Sequence, residues 1–160
     1  MTRLRLLHAL VVMGLMAGVA CSPGPDDGSG HAKKDRAIFV HLVEEGGRCT
    51  PHMGEVPVHV YLGDDVVWDI ENDCANEAEV EFVDFKIRKS GERKDPFPEG
   101  PKKERVGKKE PGHPGANRKQ LRAALRDDES YIGTYKYTAR VTGGAELDPE
   151  LEVDGKKSHR

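Results

Sequence analysis

Three side chains that bind copper in other proteins lie within five residues of this sequence, at Cys49, His52 and Met53. A thiolate, an imidazole and a thioether are the ligands of electron-transfer copper sites, so the segment CTPHM raises the hypothesis of a metal site. His52 and Met53 are adjacent, however, and adjacent side chains of an extended strand point to opposite faces. We therefore treat metal binding through His52 and Met53 as the weaker alternative, and we expect no cofactor.

The first part of the chain predicts export. Two arginines precede an apolar run over residues 6–16, small residues follow it, and the run is too short to span a bilayer comfortably. We therefore expect residues 1–20 to be a signal peptide. Residues 18–21, Gly-Val-Ala-Cys, resemble the lipobox of bacterial lipoproteins, which implies lipidation of Cys21. The alternative is cleavage by an ordinary signal peptidase. Residues 21–36 are rich in Pro, Gly and Ser and predict a flexible tether.

Export also determines the expected redox state, partners and location. With lipid on Cys21, the thiols of Cys49 and Cys74 are the two that remain in an oxidising compartment, so we expect them to form a disulfide. Removal of the signal peptide takes away two arginines and changes the formal net charge from −3 to −5, which argues for no nucleic-acid partner. We expect a lipid anchor in the cell membrane or the outer membrane, a domain facing the periplasm or the outside, and an envelope protein as partner.

The body of the chain has a hydrophobic period of two, which indicates β-strands. The segments VPVHVYL and DVVWDIEND alternate in this way on either side of a Gly-Asp-Asp turn, and Trp68 is expected to fill the core. The segment EVEFVDFKI changes phase after Phe82, which predicts a bulge or a crossing between sheets. About seven short strands predict an all-β sandwich over residues 37–155, with a tail at 156–160.

Residues 89–120 interrupt this pattern. They hold five prolines and many lysines but few apolar residues, which predicts a long basic, Pro-rich surface loop or a partly disordered insert. The next segment, LRAAL at 121–125, is expected to form one or two helical turns. The acidic pairs 64–65 and 127–128 are expected to be exposed and solvated. No nucleophile, zinc-hydrolase or phosphate-loop motif is present in the sequence, so we expect no enzyme activity.

Three segments resemble the cupredoxin family. VHVYLGDDVVWDIEND is similar to its paired strands, and GTYKYTARV and LDPELEV are similar to its last two strands. The resemblance implies a Greek-key β-sandwich. In cupredoxins one histidine ligand follows the Asn-ending strand, and a Cys, a His and usually a Met lie between the last two strands. The corresponding segments here are 72–77, which has no histidine, and 142–146, which has none of the three.

The resemblance therefore implies a cupredoxin-like domain without a type 1 copper site. We expect an exported, membrane-anchored lipoprotein with a non-catalytic structural or protein-interaction role in the cell envelope. The alternative is a periplasmic protein that binds or handles copper through a non-standard site.

Overall fold

The computed structural model describes residues 33–54, 57–99 and 102–155. The predicted signal peptide, the expected lipidation site Cys21 and the predicted C-terminal tail at 156–160 lie outside these residues. Within them, no helix is long and apolar enough to cross a membrane. The strands of the described residues are β1 (Asp35–Glu45), β2 (Arg48–Met53), β3 (Val58–Tyr61), β4 (Asp65–Asn72), β5 (Ala78–Ile87), β6 (Lys102–Val106), β7 (Arg118–Ala124), β8 (Gly133–Val141), β9 (Glu146–Leu147) and β10 (Glu150–Asp154).

The strands form two sheets. Sheet A has the order β2-β1-β4-β7, and sheet B has the order β3-β10-β8-β5-β6 with β9 paired to β8. The pairs β1–β4 and β3–β10 are parallel, and the other pairs are antiparallel. The predicted all-β sandwich is confirmed, with ten strands in the described residues rather than about seven.

Aromatic side chains fill the space between the sheets. Trp68 is fully buried, as expected, and its ring stacks on Phe82 with 4.7 Å between centroids. Phe97 contacts the Trp68 ring edge-on at 5.3 Å, and Phe85 stacks on Tyr137 at 5.0 Å. Rings of this size bury large apolar areas, and their paired geometry adds stability beyond that area. The sandwich is therefore held together at its centre by an aromatic cluster contributed by both sheets.

The change of phase in β5 is a bulge, which was one of the two predicted alternatives. The register between β5 and β8 shifts between Val83 and Lys86, and Asp84 has a positive φ of 56°. The extra residue rotates the strand so that Phe82 and Phe85 both reach the core although three positions separate them.

The prediction of a long loop at 89–120 was wrong. This segment contains β6 and the first residues of β7, and Phe97 within it is 1% exposed. Strand β6 was not predicted because its lysines and arginines indicated a solvated loop. In the structure, charged side chains along β6 pair with carboxylates of β5, as Lys103 does with Glu79 at 2.7 Å. Strand β6 is thus charged on its outer face, while its first and last residues, Lys102 and Val106, are buried.

Two further expectations are corrected at the beginning and end of sheet A. In the segment 121–125, which was expected to be helical, residues 121–124 belong to β7, because pairing with β4 overrides a weak helix propensity. Strand β1 begins at Asp35, inside the predicted tether at 21–36. The backbone N–H of Lys34 donates to Asp64 Oδ1 at 3.0 Å, which holds the chain beside the start of β4.

Candidate functional site

The two segments that correspond to the copper-binding loops of cupredoxins, 72–77 and 142–146, lie at the same end of the sandwich. A disulfide between Cys49 and Cys74 closes this end, with 5.8 Å between the Cα atoms, so the predicted pairing is confirmed. Cys49 belongs to β2 and Cys74 follows β4, and these strands lie on either side of β1. The bridge therefore joins the two neighbours of the central strand β1. As a cystine, neither residue offers a thiolate to a metal.

Asn72 connects the loops of this end. Its side chain is fully buried, and Nδ2 lies within hydrogen-bond distance of the carbonyl oxygens of Asn76 (2.9 Å), Gly107 (3.1 Å) and Val106 (3.3 Å). Its Oδ1 accepts from the backbone N–H of Cys74 at 3.0 Å. One side chain thus links the loop after β4, the disulfide and the end of β6.

A second buried amide supports the first. Asn117 Nδ2 donates to the backbone oxygen of Asn72 at 3.2 Å, and the backbone N–H of Asn72 donates to the Asn117 oxygen at 2.8 Å. Asn117 Nδ2 also lies 3.3 Å from Asp73 Oδ1. Hydrogen bonds from His41 first and then from Lys109 lower the pKa of Asp73, with its burial acting in the opposite direction. The loop after β4 is consequently organised by polar contacts, and no histidine belongs to it.

The hairpin between β8 and β9 packs directly on the disulfide. Ala145 donates its backbone N–H to the Cys49 oxygen at 3.1 Å. A Cβ atom on Gly144 would lie 2.3 Å from that same oxygen, so the hairpin requires glycine at this position. An open depression of about 240 Å³ remains beside the disulfide, and its lining includes the charged residues Glu44, Arg48 and Glu77. The close contact at this end is therefore between the hairpin and the Cys49 backbone.

The described residues contain no group of three or more His, Cys, Asp or Glu side chains arranged to hold a metal ion. The two ligands of the weaker alternative are not brought together. His52 Nε2 lies on the exposed side, 3.0 Å from Glu45 Oε1, whereas Met53 turns inward and its sulfur accepts from the Tyr137 hydroxyl at 4.0 Å. Burial raises the pKa of Tyr137 to about 12. Met53 thus belongs to the core packing.

The acidic pair at 64–65 is buried, contrary to the expectation of solvated charges. Asp64 accepts from the backbone of Lys34 and from Arg36 Nε at 3.1 Å. Asp65 pairs with Lys33 at 2.8 Å and with Arg122 at 3.1 Å. These contacts bind the start of β1 to β4 and β7, so the pair has a structural role that depends on cations from distant parts of the chain.

The outer face of sheet A carries the features that sequence reasoning missed. His41 lies directly opposite His52 in the pairing of β1 with β2, and Phe39 nearby is 67% exposed. With Asp69 and other residues they line an open depression of about 310 Å³. The register that sets His41 against His52 has no local sequence signal.

No model of a protein family matches the chain, and no curated protein matches it. Solved structures, in contrast, do match the chain. An amicyanin mutant in its reduced Cu(I) form is 22% identical, and the match covers 74% of this chain and 82% of that chain with a TM-score of 0.35. The multicopper oxidase mgLAC is 17% identical over 79% of this chain and 40% of its own, with a TM-score of 0.40. The McoA multicopper oxidase from the hyperthermophile Aquifex aeolicus is 12% identical over 83% of this chain and 31% of its own, with a TM-score of 0.39.

The chain thus spans less than half the length of each of these two oxidases. Similarities at these TM-scores carry no argument about chemistry. The β-sandwich described above rests on strand order and register.

Proposed function

We propose that this chain is an exported lipoprotein, anchored through Cys21, whose cupredoxin-like sandwich has no type 1 copper site. Its role is structural or protein-binding, without catalysis, in the cell envelope. The observation that carries the proposal is the Cys49–Cys74 disulfide beside two loops that contain no histidine, no methionine and no free cysteine. A blue-copper site needs a thiolate and imidazoles held together, and here Cys49 and Cys74 are oxidised to a disulfide and offer no thiolate.

The disulfide also supports export. Disulfides form and persist in oxidising compartments and are rare in the cytosol. This agrees with the signal-like residues 1–20 and with the Gly-Val-Ala-Cys sequence that ends at Cys21. The twelve residues after the expected lipid site, up to Lys33, would separate the sandwich from the membrane surface.

A protein-binding role is supported by Phe39. Among the large apolar side chains of the described residues, Phe39 and Ile132 are the exposed ones, at 67% and 46%. Exposed aromatic side chains are enriched where proteins bind one another. We propose that an envelope protein contacts the face of sheet A that presents Phe39.

Membrane fractionation tests the anchor. The Cys21→Ser variant is expected to move from membranes to the soluble fraction of the envelope, whereas a matched Ser22→Ala variant stays with the membranes. Continued membrane association of Cys21→Ser would count against lipidation.

Optical titration tests the absence of a type 1 site. Addition of Cu(II) to the oxidised chain is expected to give no intense thiolate-to-copper absorption in the visible range, because no free thiolate remains in the described domain. An intense band that disappears in Cys49→Ser would refute this part of the proposal.

A further inference from the structure

The outer face of sheet A places two imidazoles side by side. His41 and His52 are directly paired across β1 and β2, which are antiparallel, so both side chains lie on the same face. Side chains opposite one another in such a pair have Cβ atoms about 5 Å apart. Both side chains are half-exposed, at 49% and 50%, and both line the depression that contains Phe39. Neither ring is buried in a packing role.

The outer nitrogen of each ring already faces a carboxylate. His41 Nε2 is hydrogen-bonded to Asp73 Oδ2 at 3.1 Å, and His52 Nε2 lies 3.0 Å from Glu45 Oε1. In a neutral imidazole, a proton on the nitrogen that faces the carboxylate leaves the lone pair on Nδ1. Histidines that bind metals are oriented in this way, with the second ring nitrogen held by an oxygen acceptor.

We propose that His41 and His52 bind one divalent transition-metal ion through their Nδ1 atoms, with water completing the coordination. Imidazole ligands suit Cu(II), Ni(II) and Zn(II), and Cu(II) binds most tightly in the general order of these ions. Mg(II) and Ca(II) prefer oxygen ligands and are not bound by this pair.

The position of the pair separates this site from the copper site of the resembling family. It lies on the exposed face of sheet A, on β1 and β2, and it takes no metal ligand from the segment 72–77 or the segment 142–146, although Asp73 of the first segment orients His41. The disulfide takes no part in it, so the site is available in the oxidised protein. The depression above it leaves room for ligands other than water on the metal.

The test uses the full chain with its disulfide intact. Calorimetric titration with Zn(II) and electron paramagnetic resonance with Cu(II) are measured on the parent chain and on single variants. We expect the parent spectrum to show coupling to two imidazole nitrogens, and His41→Gln and His52→Gln each to lose one coupling and to weaken binding by about tenfold or more. Asp73→Asn is expected to weaken binding by about tenfold while both couplings remain, because it acts by positioning His41.

His59→Gln is the matched control. His59 is also half-exposed and lies 3.5 Å from the carboxylates of Glu152 and Asp154, but its strand partner is Glu152 rather than a histidine. This variant is expected to bind like the parent. Thermal unfolding by circular dichroism shows that each variant is folded.

The proposal is overturned if the parent binds neither Zn(II) nor Cu(II), or if His41→Gln and His52→Gln bind as the parent does. It is also overturned if His59→Gln weakens binding as much as they do, because the ion is then held adventitiously by scattered histidines.

Discussion

Replacement of Asn72 by alanine is expected to destabilise the domain strongly, because this fully buried side chain joins the loop after β4 to the end of β6. Nδ2 has two hydrogens for three carbonyl oxygens, those of Asn76, Gly107 and Val106, so two of these contacts are full hydrogen bonds. Oδ1 contributes a third bond by accepting from Cys74. Three bonds at about 1 kcal/mol each give a loss of about 3 kcal/mol, and the unpaired buried N–H of Cys74 raises it to about 4 kcal/mol.

Urea unfolding of the oxidised protein measures this loss. The domain is of a size for which stability is typically about 5–15 kcal/mol, so a change of about 4 kcal/mol moves the midpoint well outside error. Asn76→Ala is the control, since Asn76 is exposed and contributes its backbone oxygen rather than its side chain. Its expected effect is within about 0.5 kcal/mol.

The variant Asn72→Asp separates the two kinds of bond. Aspartate keeps an acceptor for Cys74 but turns a buried charge towards carbonyl oxygens, so at neutral pH we expect a larger loss than with alanine. A loss below about 1 kcal/mol for Asn72→Ala would show that the loops are held together by other contacts, and the reasoning would fail.

Three other perturbations have defined outcomes. The double variant Cys49→Ser/Cys74→Ser removes a bridge between residues 25 apart and should lower the free energy of unfolding by about 3.5 kcal/mol in the chain-entropy description, with an unchanged urea midpoint as the contrary result. Gly144→Ala should cost about 1–3 kcal/mol because its Cβ meets the Cys49 backbone, whereas Gly54→Ala meets no atom within 4 Å; equal melting temperatures would contradict this. Acid should destabilise the fold. Hydrogen bonds lower the pKa of several carboxyls below the ordinary values of 3.8 for Asp and 4.5 for Glu, so their contribution to the free energy of unfolding is present above those values and is lost as the pH falls below them. Unfolding measured near neutral pH and at about pH 3 tests this, and added salt is expected to reduce the difference. These carboxyls are Asp35, Asp73, Glu79 and Asp128.

The strands that form the core were predictable from the sequence because one of their faces is continuously apolar. Trp68 and its neighbours in β4 alternate towards the core, and the aromatic residues Tyr135 and Tyr137 do the same in β8. The change of phase in β5 was visible for the same reason, and the structure decides between the two predicted alternatives, a bulge and a crossing between sheets, in favour of the bulge. The disulfide followed from the small number of cysteines.

The rest depends on contacts between distant segments. Strands β6 and β7 were not predicted because they lie at sheet edges. Charged side chains on an edge strand can face the solvent and also pair with carboxylates of the neighbouring strand, so the apolar pattern of a strand is absent. The burial of Asp64 and Asp65 depends on Arg36 and Arg122, which no local pattern connects to them. The pairing of His41 with His52 depends on register, which a single sequence leaves open.

The strand order has a consequence for how the chain acquires its structure. Strand β1, the first strand of the described residues, lies between β2 and β4, and the last, β10, lies between β3 and β8. Strand β3 therefore cannot join the rest of sheet B until Glu150–Asp154 is available, because β10 is the strand that connects β3 to β8. Non-local pairings of this kind form slowly because the chain between the partners must first be ordered. The complete sandwich therefore forms only after the last strand, β10, has been synthesised.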